Sequence, residues 1–171
     1  EKEGDLFLGA RQRVLPITPG EELVVLCHHP LHWFNDQKTA RSYIRNRARV
    51  LMTGHEHKPS VTVDYSKPGR DLLSIASGAA VPPHATEEYS YTYNILTFGV
   101  ESETDDLSVS IIPRTWSDDE TDFVADEELL KDCGTKLVLA SKNFRMAAGS
   151  VEVSMADIAD EVDYPVEEAD R

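Results

Sequence analysis

The sequence lacks the marks of several common protein classes. Its two cysteines, Cys27 and Cys133, stand far apart and form no CxxC pair, which excludes a zinc finger and gives no support to a disulfide scaffold. So few cysteines fit a reducing compartment, and a cytoplasmic location is expected. No apolar run approaches the roughly 20 residues that a membrane span needs, and the opening EKEGDLFLGARQ has no charged start leading into a long apolar stretch. Neither a span nor a signal peptide is therefore expected, and no membrane partner. GxGxxG and GxxxxGK[ST] are absent, so dinucleotide and P-loop binding have no support. GxSxG is absent and no serine is singled out for nucleophilic catalysis. HExxH is absent too, which argues against a zinc metalloprotease. No internal repeat is present.

The composition is that of a globular chain. Of 171 residues, 40% are apolar, enough to bury a core, and the length suits one domain or somewhat more. The formal net charge of −14 would by itself argue against anionic partners, because phosphate groups recruit Lys and Arg. The charge is uneven, however. Residues 1–116 carry 15 acids and 12 bases, whereas residues 117–171 carry 16 acids and 5 bases. The acidity belongs to the C-terminal third. Within the near-neutral part, Lys38, Arg41, Arg45, Arg47 and Arg49 form a basic run with no acid between them. That run is either a solvated helix face or a phosphate-contacting surface, and phosphate substrates are not excluded.

Residues 23–27, LVVLC, form a short apolar run ended by HHP and read as a strand buried on both faces. After a loop, Asn35 or Asp36 can cap a helix carrying Ala40, Tyr43, Ile44 and Ala48 on one face. VLMT at 50–53 is again short and apolar, so strand, helix and strand predict a βαβ unit with parallel strands. Beyond residue 59 the period becomes two, in VTVDY (61–65), LLSIAS (72–77), SYTYNILTFGV (90–100) and LSVSIIP (107–113). KPGR (67–70) and ESETDD (101–106) supply turns. An antiparallel meander beside the first sheet is expected. From Trp116 onward, an acidic loop, a short helix within SDDETDFVADEELLKDCG and a strand at 137–141 are expected.

Five of the six histidines fall in two clusters at the ends of the proposed parallel strands: His28, His29 and His32 in HHPLHW, and His55 and His57 in GHEH. Ligands and metals gather beyond the carboxyl ends of such strands. Alternate side chains of an extended segment point the same way about 7 Å apart, so His55 and His57 can converge from one strand end, with His28 joining from the next. Gly54 removes a Cβ where the backbone comes close. His29 points away from His28 if the strand continues, and is at most a substrate contact. His32 flanks Trp33 in the loop, and His84 has no histidine neighbour in sequence.

The pair VVLCHHPLHW and VLMTGHEH, each a buried strand closing on histidine with a helix between, resembles the calcineurin-like metallophosphoesterases. In that family one strand ends in a metal-binding histidine followed closely by proline, and a later strand ends in GHxH. ASGAA (76–80), the aromatic-rich YSYTYNILTF and the closing PRTW are similar in placement to the family's last strands, so the resemblance covers roughly residues 20–116. It implies an α/β fold, part of a four-layer α/β/β/α sandwich whose mixed sheet is followed by a C-terminal antiparallel meander. It also implies two metal ions drawn from Mn, Fe and Zn, with His28 and His55 on one and His57 on the other.

The implied activity is phosphodiesterase or phosphomonoesterase action on a nucleotide, nucleic-acid or phosphoprotein substrate. The metals would polarise the phosphoester and offset developing oxyanion charge. Neutral imidazoles hold such ions without adding negative charge opposite the phosphate. The family's earlier motifs, DxH, GDxxD and GNH[DE], do not precede His28, and position 8 after Asp5 is Leu rather than Asp. The expectation is therefore that residues 1–116 are the C-terminal half of such a domain, partnered by its N-terminal half. Residues 117–171 are then an acidic extension or the start of a further domain. The competing expectation is a non-catalytic interaction module or linker whose acidic segment docks a basic partner.

Overall fold

The structure, a computed structural model, describes residues 2–55, 57–65, 69–79 and 91–147. It is an α/β chain with two four-stranded sheets and few helices. The first sheet has the order β1-β2-β4-β3, built from β1 (Leu23–Cys27), β2 (Ala48–Thr53), β3 (Ser60–Asp64) and β4 (Leu72–Ala76). β1 and β2 run parallel and are joined through α1 (Gln37–Arg47), as the βαβ pattern predicts. The helix buries Ala40 and Ile44, one turn apart, against Leu51 and Leu72 of the sheet, together with Leu31 and Phe34. Asp36 stands at the N-cap position of α1, but its carboxylate accepts from the backbone N–H groups of Leu8 (3.0 Å) and Gly9 (3.1 Å). It thereby ties the N-terminal segment to the helix start.

Two expectations about this sheet are corrected. LLSIAS does not open a meander: β4 lies inside the first sheet, parallel to β2, with β3 antiparallel on its outer side. The two strands buried across most of both faces are β2 and β4, because they occupy the centre. β1 is instead an edge strand with one open face, where Leu26 is 77% exposed and Val24 39%. Val25 and Cys27, on its opposite face, pack under α1.

The second sheet is antiparallel and centred on β6 (Asp106–Ser117). β6 pairs with the whole of β5 (Thr92–Glu101), with β7 (Asp122–Ala125) at its C-terminal end and with β8 (Lys136–Leu139) at its N-terminal end. The β5–β6 turn at 102–105 falls where ESETDD predicts it, with Asp105 in the left-handed region. Alternation along β6 sends Leu107, Val109 and Ile111 inward, where they meet Val50, Leu73 and Ile75 of the first sheet and Leu137 and Leu139 of β8. The order of layers is helix, sheet, sheet. The helical layer expected on the far side is not present among the described residues, and Ile95, Ile112 and Val138 are exposed there.

The described part of the acidic third is also drawn in. β6 passes through residue 116, the expected domain boundary, and β7 and β8 extend the same sheet, so residues 122–139 are structurally continuous with what precedes them. The short helix expected in SDDETDFVADEELLKDCG is not formed: Asp122–Ala125 is a strand and residues 127–133 are turns. The strand pairing of Phe123 with Trp116, reinforced by their ring contact at 5.3 Å, outweighs the local helical pattern. A second short helix, α2 (Lys142–Ala147), follows β8. His84, part of KPGR and the last two dozen residues lie outside the described residues. No helix among the described residues is long and apolar enough to cross a membrane.

Candidate metal centre

The candidate centre lies where β1 and β2 end together. Cys27 pairs with Thr53, and the Gly54 N–H donates to the His28 carbonyl at 3.0 Å, carrying the ladder one step past both strands. His28 and His55 therefore leave the sheet side by side, at the carboxyl ends of adjacent parallel strands. His28 Nε2 and His55 Nδ1 stand 3.3 Å apart. The chain bends at His28 and His29 and Pro30 offers no N–H to prolong the ladder, so His29 is not held on the opposite face by strand alternation. Its ring centroid lies 4.7 Å from that of His28 and 4.4 Å from that of His55. One ligand nitrogen from each of His28, His29 and His55 lies within 4.8 Å of the others.

This triplet differs from the expected one. His55 (φ 70°) and His57 (φ 57°) both occupy the left-handed region, so GHEH is not the extended segment that would aim both rings at one point. His57 is not part of the triplet. A Cβ on Gly54 would meet His28 at 3.7 Å, an ordinary contact, so the close approach expected at Gly54 does not require glycine. His32 belongs to the short 3₁₀ turn Leu31–Trp33 and is likewise outside the triplet.

Aromatic packing surrounds the triplet. Trp33 stands nearly perpendicular to His55 at 4.2 Å and also contacts His29 at 5.3 Å, while Phe34 meets His29 edge-on at 6.5 Å. Trp33 is itself tied down, since its carbonyl accepts the N–H of Gly4 at 3.0 Å and its N–H donates to the Pro30 carbonyl. Below the triplet, burial pushes the Cys27 thiol up from its ordinary value, and the backbone N–H of His29 opposes this more weakly. Cys27 is a neutral thiol at neutral pH.

The donor set suits a borderline transition metal. Zn–N bonds of about 2.0–2.1 Å in a tetrahedron place neighbouring nitrogens about 3.3–3.4 Å apart. The 3.3 Å separation of His28 Nε2 and His55 Nδ1, a hydrogen bond between the two rings, is compatible with that edge. An ion that took all three imidazoles would have a fourth position open.

Most of the basic run is spent on the fold. Arg45 bonds Asp64 at 2.6 Å, Arg47 lies over the Tyr43 ring at 5.1 Å, and Arg49 is buried beside Glu22. Lys38 and Arg41 are exposed. Arg41 lines a cavity of about 230 Å³ on the α1 side of the sheet with His32, Thr53, Ser60, Thr62 and Ser74. The cavity shares the HHPLHW loop and the end of β2 with the centre.

Fold and centre together define an α/β protein of two stacked sheets with a histidine triplet where parallel strands end. The chain matches no protein-family model, no curated protein and no solved structure.

Proposed function

We propose that this chain supplies the histidine portion of a metal-dependent phosphoester hydrolase of the calcineurin-like metallophosphoesterase kind. The observation that carries the reading is the 3.3 Å approach of His28 Nε2 to His55 Nδ1 at the ends of adjacent parallel strands. When bound, two ions of Mn, Fe or Zn supply Lewis acidity and positive charge opposite the phosphoryl oxygens. His28 and His55 hold one of them through neutral nitrogens. His57, on the same loop but outside the triplet, belongs to the second. The carboxylates that two ions also need are assigned to an N-terminal half of the same domain. Trp33, in ring contact with His55 and His29, helps to hold those two rings in orientation.

The substrate is a phosphodiester or phosphomonoester of a nucleotide, nucleic acid or phosphoprotein. Residues 1–116 are nearly balanced in charge, so an anionic substrate is not repelled from this end of the sheet. Arg41, Thr53 and Thr62 line the adjoining cavity, and in this reading the Arg41 guanidinium meets a phosphate oxygen.

The test uses the longest protein that contains this chain, loaded with Mn²⁺ and assayed on bis(p-nitrophenyl) phosphate. Turnover that a chelator removes, and that His28→Ala and His55→Ala each reduce by at least about 100-fold with unchanged circular dichroism, is expected. No turnover by the metal-loaded protein, or wild-type rates in both variants, overturns the reading.

A further inference from the structure

We propose that the ion held by His28 and His55 takes His29 as its third ligand, forming a three-imidazole site with one open position. The proposal rests on the reading that the cluster holds an ion, but not on phosphoester hydrolysis. Three observations carry it. First, the ligand nitrogens of His28, His29 and His55 lie within 4.8 Å of one another, and no other described residues form such a group. Second, the His29 ring packs against both partners, its centroid 4.7 Å from that of His28 and 4.4 Å from that of His55, beside the 3.3 Å nitrogen pair of His28 and His55. Third, Trp33 contacts both His29 and His55, so one indole fixes two of the three rings.

The backbone explains why adjacent residues can serve one ion. β1 ends at Cys27, the chain bends at residues 28 and 29, and Pro30 has no N–H for further pairing. His28 and His29 are thereby freed from the alternation that would send them to opposite faces. Two nitrogens already stand at a separation compatible with a tetrahedral edge. For the third, a shift of roughly 1–1.5 Å, within reach of a side-chain torsion, closes the remaining separation to the edge expected at Zn–N distances. Three neutral imidazoles give the ion its full charge toward the open position, which favours an anionic ligand such as a phosphate oxygen.

The experiment titrates the full chain with Co²⁺, following the visible absorption of the four-coordinate ion, with Zn²⁺ competition giving affinity. One Co²⁺ per chain is expected, with spectrum and affinity unchanged within about twofold in His57→Ala. His29→Ala is expected to weaken binding by at least about tenfold and to alter the spectrum, as His28→Ala does. Amide hydrogen exchange of β2 and β4 verifies that each variant is folded. His29→Ala with wild-type affinity and spectrum overturns the role of His29 alone. Binding that depends on His57 as strongly as on His28 overturns the triplet in favour of a different set. No Co²⁺ binding by the wild-type chain overturns the site, whereas Co²⁺ binding without phosphodiester hydrolysis in the longer protein overturns only the proposed reaction.

Discussion

Removing the carboxylate of Glu22 should cost this fold more than almost any other single polar change. Glu22 precedes β1 and Arg49 lies in β2; their side chains are 3% and 4% exposed, with Nε and Oε2 3.5 Å apart. Arg49 also donates to the carbonyls of Asp71 (2.9 Å) and Arg45 (3.2 Å). Burial pushes its guanidinium down from its ordinary value, while Glu22 and Asp71 push it back up, and it stays charged. Glu22 also accepts from Ser141 Oγ at 2.6 Å and from Asn143 Nδ2 at 3.2 Å, fastening the start of the first sheet to the start of α2. Glu22→Ala leaves a buried cation with only the Asp71 charge and two carbonyls to offset its burial, a loss of about 3 kcal/mol. That is a large part of the 5–15 kcal/mol typical of a folded domain. In urea, with a slope of about 2 kcal/mol per molar, the midpoint should fall by about 1.5 M. Glu22→Leu combined with Arg49→Met removes both charges and should recover most of the loss. A fall of less than about 1 kcal/mol in Glu22→Ala, or a double variant no better than the single, refutes the buried pair as the cause.

Two further outcomes follow from other parts of the fold. Burial pushes the Asp106 carboxyl up, but the backbone N–H of Ser141, the Arg145 guanidinium and Thr104 outweigh it and hold the group below its ordinary value. A group with a depressed folded value stabilises above its unfolded value of about 3.9 and loses that contribution as pH falls through the folded one. Acid unfolding followed by fluorescence should therefore show stability falling below about pH 4, with a shallower slope in Asp106→Asn; an identical slope would contradict this. Ile111 is fully buried between the two sheets, so Ile111→Ala should cost about 2–5 kcal/mol in chemical denaturation, and a change within 0.5 kcal/mol would mean that the sheets do not pack as described.

The βαβ unit was legible because local signals and tertiary demands agree there. LVVLC coincides with β1, and Ala40 and Ile44 are the buried turn of α1. Which strand sits at the centre was not legible. LVVLC and LLSIA are both short apolar runs, and only pairing decides that the first is an edge and the second an interior strand. The acidic stretch after Trp116 carries helical composition, yet its ladder with β6 makes Asp122–Ala125 a strand. At the centre, His28 and His55 followed from the strand ends. The convergence of His55 with His57 was not legible, because the positive φ values at both residues break the alternation that an extended segment would have. The nearness of His29 to His28 and His55 was not legible either, because it depends on the bend of the chain after β1.

The most direct measurement is anomalous diffraction at the metal edge from crystals of the longest protein containing this chain, grown with Zn²⁺ or Mn²⁺. An anomalous peak about 2.0–2.2 Å from both His28 Nε2 and His55 Nδ1, with His29 completing the set, is the expected result. Crystals with ordered histidines and no peak between His28 and His55, or with the two rings turned apart, would contradict a metal centre at the ends of β1 and β2.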